Sequence, residues 1–197
     1  MHGLRPQRCV FTAKGRAWIQ QQALSQAAQL CFERFFRLYD FLSAERESSE
    51  AELLAAAAAF PQVALLMTIP GLGHMLAAVV WSEIGDLARF ASADALRNYT
   101  GLVPSSYDSG EVSIHGPITR QGPAWRRWAL ITAANALTRS KSPLGQRYWR
   151  LRRCHKLPNV AKTAVAGSVA RCVYGVLKHG APFQAERWGR RAGKLEQ

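Results

Sequence analysis

The chain has 197 residues, 48% of them hydrophobic, with a formal net charge of +13. This length holds one ordinary globular core, or one domain with a docking arm, and a composition rich in Ala and poor in β-branched runs predicts a mainly α protein. No metal site is expected, because Cys9, Cys31, Cys154 and Cys172 form no CxxC pair and Cys154-His155 lacks second ligands at zinc-finger spacing.

No uninterrupted apolar run approaches the roughly 18 residues of a bilayer span. The basic N-terminus, with Arg5, Arg8, Lys14 and Arg16, has no apolar leader core. The expectation is a cytoplasmic protein with reduced thiols and no membrane partner. Charge is uneven: residues 1–96 hold 8 Lys or Arg against 9 Asp or Glu, and residues 97–197 hold 18 against 4. A basic half of this kind suits a surface that neutralises phosphates and releases counterions. A solvated face has the same composition, so charge alone leaves the partner open.

Along the chain, Phe32, Phe35, Phe36, Tyr39 and Leu42 recur at helical spacing and predict an amphipathic helix from about Arg16 to Ser43. A second helix is expected from Ser49, with Ser49 and Glu52 as a capping box, running through Leu53 to Phe60 and stopped by Pro61. The two form either a hairpin or coiled-coil arm, or part of one bundle. The stretch Thr68-Ile-Pro-Gly-Leu-Gly73 then breaks the periodicity. Gly71 and Gly73 suit a helix-hairpin-helix-like turn whose uncovered amides bind a DNA phosphate, or a plain helix–helix turn.

Ser92 caps a short helix through Tyr99. A long Ser/Gly loop with little regular structure follows to about Pro123, holding Ser105, Ser106, Tyr107, Asp108, Ser109, Gly110, His115 and Arg120. Three basic helices are expected after it: Pro123 to about Arg139, bearing Arg126 and Arg127, Pro143 to about Cys154, and Asn159 to about His179. The organisation expected is an N-terminal segment and helical arm over residues 1–60, a compact helical domain over 61–183, and a basic tail over 184–197.

Six motifs arrive in a telling order: Ile69-Pro-Gly-Leu-Gly73, Glu83-Ile-Gly-Asp86 with Arg89-Phe90, Gly101-Leu-Val-Pro104, Tyr107-Asp-Ser-Gly110, Gly116-x-Ile-Thr-Arg-x-Gly122 and Tyr174-Gly-Val-Leu-Lys178. Together they resemble the C-terminal transposase domain of the IS-one-ten insertion-sequence family, the bridge-RNA-guided DNA recombinases. The likeness covers roughly Phe60 to Phe183.

That resemblance implies a composite active site. A RuvC-like domain supplies acidic residues for Mg2+, and this domain supplies a serine nucleophile, matched here by Ser109, which attacks a DNA phosphate to give a phosphoserine intermediate. Arg120, Arg126 and Arg127 are the cations expected to clamp phosphates, since guanidinium suits bidentate phosphate contact. DNA, a guide RNA and a second copy of the chain, joined through the helical arm, are the implied partners, in the bacterial cytoplasm at the nucleoid. The RuvC-like part is expected to be missing here, so no cofactor is expected on this chain and cutting is expected to need the absent carboxylates. Three other readings fit the residues: a non-catalytic helix-hairpin-helix module binding nucleic acid through its backbone, an inactive transposase remnant, and an RNA-binding accessory protein.

Overall fold

The computed structural model describes residues 9–109, 112–118, 122 and 124–186. It divides into two compact units, one up to Glu52 and one from Leu53 onward, so the division falls ahead of the boundary expected at residue 60. The class is mainly α, as expected, with one two-stranded hairpin among the described residues.

In the first unit, Thr12 caps α1 (Ala13–Gln20), its hydroxyl accepting from the Gly15 amide at 3.2 Å. Arg16 donates to both carboxylate oxygens of Asp40, at 2.7 and 2.5 Å, and lies over the rings of Phe36 and Tyr39. Phe11 stacks on Tyr39 with ring centres 4.7 Å apart. Part of the predicted aromatic stripe therefore holds α1.

That stripe belongs to α2 (Gln26–Ala57), a helix of 32 residues. The expected break does not occur, and Ser49, predicted as a cap, sits in the helix interior. Residues 44–50 contain no Gly or Pro. A serine costs only about 0.5 kcal/mol against Ala in a helix, and extending a helix is easier than nucleating a second one. Pro61 does not terminate this helix but opens the next.

The second unit contains α3 (Pro61–Met67), α4 (His74–Ile84), a 3-10 turn (Leu87–Arg89), α5 (Ala93–Tyr99), β1 (Pro104–Ser109), β2 (Val112–Ile118), α6 (Ala124–Leu137), α7 (Pro143–Arg153) and α8 (Pro158–His179). Local chemistry sets several boundaries. The Ser92 and Ser142 hydroxyls accept from Ala95 and Gly145 amides, Pro61, Pro143 and Pro158 open helices, and Gly180 ends α8 in the left-handed region at φ 58°.

Helices α3, α5, α6 and α7 all pack on α8, which buries Ala161, Val165, Val169 and Val173 completely. Gly145 lets α7 start close to the end of α6: a Cβ there would lie 2.1 Å from the Ser140 carbonyl oxygen. By length and apolarity α8 would also cross a bilayer, against the expectation from the sequence, but most of it is buried among its neighbours, as in any core helix. Past α8, the Phe183 amide donates to Thr68 Oγ1 at the end of α3, at 2.8 Å.

The segment expected to lack regular structure forms the antiparallel pair β1 and β2, with Ser109 opposite Val112 and an irregularity between Pro104 and Ser106. The alternation Val112-Ser-Ile-His115 is the period-two signal for a strand, and Pro104 is tolerated as the first strand residue. Ser and Gly had outweighed it in the loop reading.

Candidate nucleic-acid interface

The turn between α3 and α4 hangs on two buried anchors, Ile69 and Leu72, and the Thr68 hydroxyl donates to the Leu65 carbonyl at 2.6 Å. Its two glycines do different things. Gly71 has φ +90°, and a Cβ there would lie 2.8 Å from the Ala133 carbonyl oxygen, so it permits close approach to α6. Gly73 is extended, at φ −76° and ψ 173°, and nothing lies within 4 Å of where its Cβ would be. It occupies the N-cap of α4 without a side-chain cap bond, so no side chain of the cap covers the first amides.

Ser109 is the last residue of β1, and Arg120 lies outside the described residues. Arg127 is half-exposed on α6 and makes contacts of its own. Arg126 departs from the picture of a surface clamp, because it is 4% exposed. Its guanidinium carbon lies 3.6 Å from the centre of the Tyr99 ring, and Gly122, at φ +80°, leaves it room: a Cβ there would come within 1.7 Å of Nη2. Nε and Nη1 are buried without hydrogen-bond partners. Val80, Ile84, Leu96, Leu130 and Val173 line the same small cavity, an environment that strongly disfavours an unpaired charge. Tyr99 and Gly122 lie before and after the β hairpin, so Arg126 touches both stems from which it springs.

A second group of cations had no signature in the sequence. Arg171 of α8 donates through Nε and Nη2 to Asp94 Oδ1 at 2.8 and 2.5 Å, and Arg97 of α5 lies 3.9 Å from the same oxygen. Burial pulls the Arg97 guanidinium below its ordinary range, and repulsion from Arg171 and Arg147 pulls it the same way, with Asp94 opposing. Gly167 brings α8 close to Arg97: a Cβ there would lie 3.0 Å from its Nε. Arg97 and Arg171, from α5 and α8, thus share one acid, with Arg147 of α7 near enough to repel Arg97, and no single spacing announces a cluster drawn from residues 94 to 171.

Some family-like motifs are structural. Tyr174 donates to the Phe90 or Ala91 carbonyl, each at 3.3 Å, which joins two of the six motifs. Asp86 accepts from the Ala88 amide at 2.8 Å and caps the 3-10 turn. Among the described residues no three His, Cys, Asp or Glu side chains come together as a metal site. Burial raises the Cys172 thiol well above its usual range and keeps it protonated.

Residues 63–150 match the family described as "Transposase IS116/IS110/IS902 family", a range from α3 into α7 that includes Gly71, Gly73, Ser109, Arg120, Arg126 and Arg127. The chain is 34% identical over 90 residues to the transposase for insertion sequence element IS1111A of Coxiella burnetii, covering 46% of this chain and 25% of that protein. It is 29% identical over 155 residues to the transposase for IS1328 of Yersinia enterocolitica, covering 76% and 46%. It is also 29% identical over 142 residues to the insertion element IS110 43.6 kDa protein of Streptomyces coelicolor, covering 72% and 35%. The chain therefore spans between a quarter and a half of the length of these relatives.

Proposed function

We propose that this chain, whose residues 63–150 match the IS116/IS110/IS902 transposase family, binds DNA and supplies Ser109 as the nucleophile of transposition. One observation carries the reading: the matched range spans both strands of the hairpin bearing Ser109 and the start of the basic half of the chain.

A serine hydroxyl is a poor nucleophile near neutral pH until a base removes its proton and cations hold the phosphoryl charge. In the proposed step, Ser109 gives up its proton to a base and its Oγ bonds to phosphorus while the bond to the departing sugar oxygen breaks. That oxygen takes up a proton. The phosphoserine keeps the bond energy, so a new DNA end can reverse the step. Gly73, Arg120 and Arg127 hold phosphates, the buried Arg126 braces the stems of the hairpin that carries Ser109, and the Arg97, Arg147 and Arg171 group adds positive potential. The base and any metal ion belong to the RuvC-like domain that the resemblance implies, so no metal-dependent step is assigned to this chain. A guide RNA, and a second copy joined through the exposed apolar residues of α2, complete the proposed assembly.

The test is a denaturing-gel assay for covalent protein–DNA adducts, made with a complementing RuvC-like partner. Ser109→Ala is expected to abolish the adduct and leave binding nearly intact. A persistent adduct overturns the nucleophile assignment. Binding is expected to weaken steeply with salt, and a flat response overturns the phosphate contacts. The second reading, a non-catalytic module, rests on the uncovered Gly73 N-cap and gives binding without an adduct.

A further inference from the structure

Trp125, Trp128 and Trp149 are exposed, and Trp149 keeps 54% of its surface in solvent. An indole left in water presents a large apolar area, which marks a contact surface when other features agree. Here the ring is also fixed. Trp149 Nε1 donates to the Thr138 carbonyl at 3.0 Å, and the ring meets Tyr148 nearly edge-on, with centres 5.2 Å apart at 78°. Tyr148 is itself buried, so the indole is braced from beneath and loses little conformational freedom when something stacks on it.

The helix around it supplies the complementary charge. The eleven residues of α7 include Arg147, Arg150, Arg152 and Arg153 and no acid. Arg153, four residues after Trp149, shares its face and is exposed. Lys156 follows just beyond, its carbonyl accepting from Arg152 Nη1. A rigid aromatic ring on a cationic helix matches an unpaired nucleotide, whose base offers a π face and whose phosphate offers a negative charge. A duplex conceals its base faces in the stack and exposes only edges in the grooves. A second copy docked here would set one arginine-rich helix against its twin, which like charges oppose.

We propose that Trp149 is a stacking platform for an unpaired base of single-stranded DNA, with the exposed Arg153 and Lys156 at the end of α7 meeting the flanking phosphates. The inference rests on the DNA-binding reading above and narrows it to a strand opened or displaced from its complement.

Fluorescence anisotropy tests it with four labelled probes of equal length: oligothymidine, an abasic strand, a duplex and oligouridine. Trp149→Ala is expected to weaken oligothymidine binding about tenfold and to leave the abasic strand and the duplex unchanged. Trp149→Phe, which keeps an aromatic face but not the Thr138 hydrogen bond, is expected to recover most of the loss. An equal loss on the abasic strand, or the same loss in both variants, marks a structural role and overturns the proposal. Duplex binding without oligothymidine binding overturns it while leaving the DNA-binding reading intact; failure on every probe removes both. Preference for oligouridine over oligothymidine overturns it in favour of RNA.

Discussion

The two longest helices of this chain do opposite things with apolar side chains. α8 has 22 residues and buries eleven of them, including three valines at 0% exposure. α2 has 32 residues and buries none, leaving Leu30, Phe35, Leu38, Phe41 and Leu42 exposed. Both contain periodic apolar residues, so periodicity identifies a helix without saying what covers it. In α8 the cover is the rest of its own unit. For α2 the proposed cover is a second copy.

The largest effect should come from breaking this contrast with the same substitution on each helix. Val169→Asp places an unpaired carboxylate at a fully buried site and is expected to cost several kcal/mol, enough to unfold the second unit. Phe41→Asp, at a position 60% exposed, is expected to shift the melting of the monomer by less than about 0.5 kcal/mol while abolishing association. Thermal melting and light scattering read the two effects. Equal destabilisation by both would show that α2 is covered within one chain.

The glycine pair provides a smaller and sharper test. Gly71→Ala puts a Cβ 2.8 Å from a carbonyl oxygen at positive φ and is expected to cost about 1–3 kcal/mol. Gly73→Ala adds its methyl to open space at ordinary φ, so stability should hold. A fall in DNA affinity there, without loss of stability, would support phosphate contact at the Gly73 amides; unchanged affinity would leave the plain turn.

A modest stability change is expected at Arg126, and its sign is informative. Stacking of a desolvated guanidinium on Tyr99 contributes about 2 kcal/mol, whereas burying a guanidinium whose Nε and Nη1 have no hydrogen-bond partner costs several. Arg126→Met is therefore expected to raise stability by about 1 kcal/mol and to lower DNA affinity. A loss of stability would mean that its contacts at the hairpin stems outweigh its desolvation.

What was legible in the sequence was whatever local chemistry dictates. Ser92 marked the start of α5, and the helices expected from Pro143 and from Asn159 begin within a residue of α7 and α8. Ser49-x-x-Glu52 misled because a capping box marks a start only where the preceding residues resist the helix, and Glu45-Arg-Glu47 do not. The Val112 to His115 alternation was present but diluted by turn residues. For the site, Arg126 could be read as a cation but not as buried, since its burial depends on Tyr99, Gly122 and the walls from α4, α5 and α8. The grouping of Arg97, Arg147 and Arg171 exists only once three helices meet.

The hydrogen bond from Phe183 to Thr68 brings the last described turns of the second unit back beside its first complete helix. The segment that follows α8 is thereby moored to the turn after α3, and the core around α8 is fastened on that side by a backbone amide as well as by the Phe183 ring packed against it.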